Sequence, residues 1–546
     1  MSAPVRGAWT AEALQDLQAD LADAGDRVDQ LLFSLLLESP ISPDLSDLRH
    51  DVQQMFGSAP DIVAQPFFCR GGLEGLVIFD ENLIDQNLLV LGVLDRLTAS
   101  GLTPEDGRAS DLLERVGRRV APTGAVGNPG NQNGPQPGET LGALAEQVLT
   151  GAAVLCFAGQ SAGLSVKIGK IDKRAISEAP SAPSVVGPHE GFIEDAETNL
   201  SLIRRRLRTP RLRVEQFHIG TLTRTSVFLL HLKGITDDLL VREARRRMRR
   251  VTIDGMLESD VLMELIRDAP HSPVPTMKRS ERPDQVVGSL LQGQIAIVVD
   301  GSPFALLAPA TLGDFLKTME DYYENWFPVT MVRFIRLAAI LLGVLLPAFY
   351  VAIVTFHPEF IPPQLLAVIA ASRENVPLPA LGEVLLLLLL FEIIREAGVR
   401  VPTGIGNALT IGGTLVVGEA AVRAGIVSTP VIIITSAVVI AFFAIPDYDM
   451  VQFSRFLLYP MLFAAGFLGV FGILFMAFAL AFYLTSLRSW GVAFLSPLAP
   501  MRPRDWSDAV VRVPWWAMDT RPAITGYTNP VRQAPNQIPH PPRVRR

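Results

Sequence analysis

Three glutamates, Glu383, Glu392 and Glu419, stand in or beside long apolar runs in the last third of this 546-residue chain. An unpaired carboxylate in lipid costs about 2.5 kcal/mol or more, so each needs a cavity, a cation or an arginine. Glu392 lies three residues before Arg395, and Glu396 four before Arg400. Those spacings put each pair on one helical face and predict structural ion pairs. Glu383 and Glu419 show no such obvious local partner. They are the candidates for a cation pathway, where ringed carboxylates concentrate cations. Gly412, Gly413 and Gly418 join them as small residues that permit bends or close helix contact. Covalent chemistry finds no footing. Glu392-Ile-Ile-Arg-Glu396 has the spacing of a zinc-protease helix but lacks its histidines. His189 sits in a Gly-Pro-His-Glu-Gly turn with no Ser or Cys nucleophile motif, and no Walker loop or dinucleotide fingerprint occurs. The expectation is a protein without catalysis, metal or cofactor.

The elements that hold these carboxylates read as a membrane bundle. Ile335–Phe356, Val427–Ile445 and Phe456–Leu487 are long enough to cross a hydrocarbon core at about 1.5 Å per residue. Charge placement orients them. Arg333 and Arg336 guard the cytoplasmic entrance to a span over 335–356, and a second over 381–394 returns to Arg395 and Arg400 inside. Gly404–Gly425 either crosses fully, which reverses the later order and puts the tail arginines outside, or, as favoured here, dips in and returns as a re-entrant segment, lined by protein or water where its backbone is not helical. Then 427–445 goes out, 456–484 comes back, and the tail is inside. The expected architecture is α+β with an α-helical membrane part: a large cytosolic α/β head of two related subdomains, then four spans plus the re-entrant segment. Such a bundle is too small to enclose a path alone, so a pore would form between subunits around a symmetry axis.

The preceding polar stretch is too long for one domain, and 49% apolar residues overall fit a chain that is part soluble and part membrane. Glu12, Asp16, Asp20, Asp23, Asp26 and Asp29 stand where a secretory signal needs a basic start and an apolar core. The head is therefore expected in the cytoplasm. Cys69 and Cys156, far apart and without metal spacing, read as small buried apolar residues. Residues 1–50 are expected as an amphipathic helical segment, with its helix over 11–37. Two soluble subdomains follow over 51–185 and 186–330, then the bundle over 331–490 and a Pro/Arg-rich cytosolic tail over 491–546. A flexible Gly/Pro/Asn-rich linker occupies 121–138. The two subdomains repeat a pattern. Gly151 and Gly159 bracket the apolar run of Ala152–Phe157, as Gly293 and Gly301 bracket that of Ile295–Val299. Arginine clusters at Arg204–Arg211 and Arg242–Arg250 have no interleaved aromatic platform, so they read as solvated or subunit-facing surface and not as a nucleic-acid site.

At Gly187-Pro-His-Glu-Gly-Phe192 and Asn199…Arg204-Arg205-Arg206 the chain resembles the GerA family, the A-type membrane subunits of bacterial spore germinant receptors. Gly187, Pro188, Glu190, Gly191 and Phe192 carry the first motif. The resemblance continues through Ile253-Asp-Gly255, Glu281-Arg282-Pro283-Asp284 and Asp300-Gly301, then through Phe391–Pro402 and Gly412–Ala421. The tail after Pro497 looks longer than the family needs. The resemblance implies a role without covalent chemistry: a homo-oligomer, a pentamer by analogy, acting as a nutrient-gated cation channel of the spore inner membrane. It also implies a transporter-like B subunit and a lipoprotein C subunit as partners. A sporulation-stage paralogue that amplifies germination, or a non-conducting scaffold coupling sensor to effector, would fit the same motifs.

Overall fold

The computed structural model describes residues 31–57, 59–99, 136–168, 186–400, 419–509, 511–525, 529–534 and 537–539. Most of the expected N-terminal helix and of the 121–138 linker, and the Gly404–Gly425 stretch up to residue 418, lie outside them. Two compact units emerge. One gathers Met1–Arg267, Met277–Pro309 and Trp516–Arg546; the other gathers Asp268–Thr276 and Ala310–Trp515.

The first unit holds two five-stranded sheets, antiparallel in every pairing. Helix α1 (Leu45–Phe56) leads into β1 (Ile62–Phe68) and β2 (Glu74–Asp80), a helical segment follows, and β3 (Gln136–Gly138) precedes α2 (Leu141–Leu149), β4 (Ala152–Phe157) and β5 (Gly163–Lys167). The second sheet begins with α3 (Ala196–Arg206), β6 (Leu212–Ile219), β7 (Thr225–Leu232) and α4 (Asp238–Arg250). After a further short helix come β8 (Lys278–Ser280), α5 (Pro283–Leu291), β9 (Ile295–Val299) and β10 (Ala305–Ala308). The strand orders, β1-β2-β4-β5-β3 and β6-β7-β9-β10-β8, are the same arrangement twice. The bracketing glycines explain part of this. Gly151, Gly159, Gly293 and Gly301 have φ of 83°, 77°, 91° and 85°, values a side chain resists, so each turn before and after β4 and β9 is set by the same residue type. Both central strands are buried along their whole length. One expectation is corrected: residues 136–138 of the linker form β3, hydrogen-bonded to β5.

The second unit is mainly helical, with α6 (Trp326–Phe356), α7 (Pro363–Arg373), α8 (Ala380–Arg400), α9 (Thr429–Phe443) and α10 (Tyr448–Ser486). Two of these, α6 and α10, are long and apolar enough to cross a membrane; α9 is apolar but shorter. Contacts fix the directions. Tyr350 lies beside Ser428 and Gly343 against Phe442, so α9 runs antiparallel to α6. Gly469 abuts Phe356 and His357 at the far end of α6, so the first arm of α10 runs parallel to it. Leu381 meets Gly466 and Glu392 meets Arg455, which sets α8 antiparallel to that arm. Consequently α8 and α9 run the same way, whereas 427–445 was expected to run opposite to the span before it. The pin is Glu383, near the start of α8, which accepts from the Ser428 amide at the start of α9.

The expected single span over 456–484 is also corrected. Gly469 has φ 62° and ψ −143° inside α10, which breaks it into arms 448–468 and 470–486. The arms fold back on each other: a Cβ on Gly472 would overlap the Ala464 carbonyl, and Met450 and Leu484 share one apolar cluster with Ile340. An unbroken apolar run conceals this reversal, because only the glycine conformation makes it.

Candidate functional site

Glu383 is wholly buried in the bundle. Its Oε2 accepts from the Ser428 amide at 2.8 Å, and its Oε1 lies 3.1 Å from the Arg373 guanidinium. Glu383 thus has no local partner, as its spacing implies, but it does have a distant one. The partner comes from α7, ten positions upstream, beyond any spacing on its own helix. Glu419 also has one: Arg423 lies at i+4, 2.5 Å away, with both side chains more than half exposed. That pair was legible in the sequence. Glu392 binds Arg395 at 2.9 Å, as its spacing predicts, and Arg455 of α10 closes on the same carboxylate oxygen. Glu396 lies one turn further along α8 and is exposed. The Arg400 side chain and Gly412, Gly413 and Gly418 lie outside the described residues.

The head motifs build a frame around α3 and α5. Gly187 has φ 117°, and Pro188 leads to Glu190, which pairs with Arg206 at 2.5 Å. Gly191 and Phe192 are buried, and the Phe192 amide donates to the Glu281 carbonyl at 2.7 Å. Asn199 ties the chain before α3, accepting from the Ile193 amide at 2.8 Å and donating to its carbonyl. Pro283 starts α5, where Arg282 and Asp284 form a buried bidentate pair at 3.0 and 2.7 Å. Asp300 accepts from the Ala196 amide at the start of α3, and the Gly301 amide donates to the Glu194 carbonyl at 2.8 Å. Arg205 is exposed, but Arg204 is fully buried against Asp61. The solvated reading of that cluster fails at Arg204, because a guanidinium this deep needs a carboxylate. These residues fix backbone geometry.

The family profile described as Bacillus/Clostridium GerA spore germination protein matches residues 50–524. The chain belongs to the GerA family. Spore germination protein KA of Bacillus subtilis (strain 168) is 36% identical over 92% of this chain and 90% of its own length. Spore germination protein GerLA of Bacillus cereus is 38% identical over 88% of this chain and 95% of its own. A crystal structure of the N-terminal domain of the A subunit of the Bacillus megaterium spore germinant receptor GerK3 covers 50% of this chain and 98% of that one, at 29% identity and a TM-score of 0.39.

The GerA match reaches residue 524, so the first part of the tail, residues 498–524, lies within the family's span. In this GerA chain, residues 505–509 and 511–515 pack into the helical unit around the start of α6. Arg333 donates to Asp321 at 3.1 Å and to the Asp508 backbone, and Arg336 reaches Asp321 at 2.9 Å. The Tyr322 hydroxyl lies 3.0 and 2.9 Å from the two Asp508 oxygens. Arg512 stacks on Tyr322 and Trp515, and its Nε donates to the Asp321 carbonyl at 3.2 Å. Burial by itself would depress the Lys317 ammonium, but Asp508 with its neighbours Tyr322 and Asp314 holds it above the usual lysine range. Burial and then Asp508 push the Tyr322 phenol up to about 12. Sequence reasoning missed this network. Its members run along the chain from Asp314 to Trp515, and of them Arg333 and Arg336 were marked as membrane-entry charges. Beyond it, Arg521 and Thr525 bond the carbonyls of Leu291 and Gln292 at the end of α5, within the head unit.

Proposed function

We propose that this GerA protein is the A-type membrane subunit of a spore germinant receptor, and that several copies form a nutrient-gated cation channel. The observation that carries the proposal is the family match over most of the chain, joined to helices long and apolar enough to span a bilayer. The protein would sit in the spore inner membrane as a multi-pass subunit with its head in the spore core. A transporter-like B subunit and a lipoprotein C subunit would complete the receptor. The work is ion release, without covalent chemistry.

Within that proposal the carboxylates take different roles. Glu383 and Glu392, tied to arginines, hold helices together. Glu419, exposed and joined among the described residues to Arg423 one turn on, is the better pathway candidate, with Gly412, Gly413 and Gly418 just before it in sequence. An exposed pair of this kind is worth less than about 1 kcal/mol, so its carboxylate is free to serve a passing cation. The two sheets serve as related halves of the head, consistent with their matched strand orders. The test is deletion of the gene in its sporulating host, with potassium release followed after nutrient addition. Loss of release, restored by wild type and weakened by Glu419→Ala, is the expected result; unchanged release in the deletion strain would count against the receptor role.

A further inference from the structure

The seam between the two sheets of the head holds a buried cluster of charged groups. Arg204 of α3 grips Asp61, just before β1, through Nε–Oδ2 at 2.8 Å and Nη2–Oδ1 at 3.2 Å. Its Nη1 donates to the Leu212 carbonyl at 3.2 Å. This buried pair joins the first half of the head to the second. A second carboxylate, Asp80, ends β2 opposite Ile62 in the register and is wholly buried. Its Oδ1 accepts from the Asn82 amide at 3.0 Å, and its Oδ2 is buried with no hydrogen-bond partner. The charged groups facing it are Asp61 and Arg204. Arg213 lies beyond Arg204, bonds the Gln54 carbonyl at 3.3 Å, and is pushed down to about 10 by burial and by Arg204.

One guanidinium cannot satisfy two buried carboxylates. Both Asp61 oxygens are taken up by Arg204, whereas Asp80 keeps a bare oxygen that only a proton or a donor could make tolerable. We propose that Asp80 holds a proton below neutral pH and acts as a proton-responsive switch at the seam of the head. Its ionisation sets a second negative charge against the Asp61–Arg204 clasp and loosens the junction of the halves. Burial first, and then Asp61, raise Asp80 to about 7 against the opposing pull of Arg204. The sign follows from that raised value. The stabilising effect is complete below the ordinary value of 3.8 and is lost as pH rises through about 7.

The test uses the full-length protein in detergent, independent of any flux. Infrared difference spectra from about pH 5 to about pH 9 read the protonated carboxyl band, and hydrogen exchange reads the amides around Asp61 and Arg204. Wild type should lose a carboxyl band near neutral pH while seam exchange, corrected for its chemical rate, rises several-fold. Asp80→Asn should lack that band and keep seam exchange flat. If Asp80→Asn does not fold, Asp61→Asn should move the transition to lower pH, because the neighbouring charge is gone. A wild-type band that does not titrate, seam exchange flat in wild type, or an unmoved transition in Asp61→Asn would overturn the proposal.

Discussion

Replacing Asp508 by alanine is the sharpest test of the network at the start of α6. Asp508 is buried, holds the Tyr322 hydroxyl through both oxygens, and lies 3.7 Å from Lys317 and 3.5 Å from Arg333. Alanine would leave Lys317 with Asp314 at 3.7 Å, and Arg333 with Asp321. Breaking a buried ion pair from one side costs about 3–5 kcal/mol, because the remaining cation stays desolvated. For a unit of roughly 200 residues that corresponds to a fall in Tm of about 6–20 °C. Thermal unfolding of the full-length protein in detergent, followed by tryptophan fluorescence, should report it. Trp515, which stacks on Arg512 inside the network, is one of six tryptophans that contribute to that signal. A loss below about 1 kcal/mol, the size of an exposed pair, would refute the claim that Asp508 is a buried charge partner. Pairing Asp508→Ala with Arg333→Met should give a smaller loss than the sum of the two, since each removes the other's partner.

Three further perturbations probe the rest of the fold. Burial depresses the buried His231 to about 4, so the head should lose stability as pH falls from 6.5 toward 4, by about 3 kcal/mol in all; His231→Leu should flatten that limb of a pH–denaturation series. Gly469→Ala forces a side chain into φ 62°, with Phe356 and His357 only 3.1 Å from the new Cβ, and should destabilise the α10 reversal by about 1–3 kcal/mol, read as earlier thermal unfolding in detergent. Glu383→Ala strips the Arg373 partner and the acceptor of the Ser428 amide, and should destabilise the bundle by about 3 kcal/mol or more, against little change for Glu419→Ala.

What the sequence disclosed depended on how local its cause was. The repeat in the head was legible because paired glycines at 151/159 and 293/301 set local turns, and the strand orders of the two sheets match. Glu392–Arg395 was legible because one helical turn relates them. Glu383–Arg373 was not, since the two residues sit on different helices whose crossing no periodicity states. The direction of α9 was misread for the same reason: its start is pinned by Glu383 across the bundle. Charge placement can orient a span only where the ends are marked by arginines, and the α10 reversal at Gly469 carries none. Arg204 was misread because a run of arginines gives no sign of which member turns inward; Asp61, its partner, lies 143 positions away.

The central claim is ion conduction by an assembled GerA receptor, and potassium flux from liposomes tests it most directly. The protein would be reconstituted with and without its B and C subunits, and flux followed on addition of nutrient. A conducting receptor gives nutrient-dependent flux that needs the partner subunits and is altered by Glu419→Ala. An intact, partner-bound oligomer that passes no potassium with nutrient present would contradict the channel and leave a non-conducting scaffold.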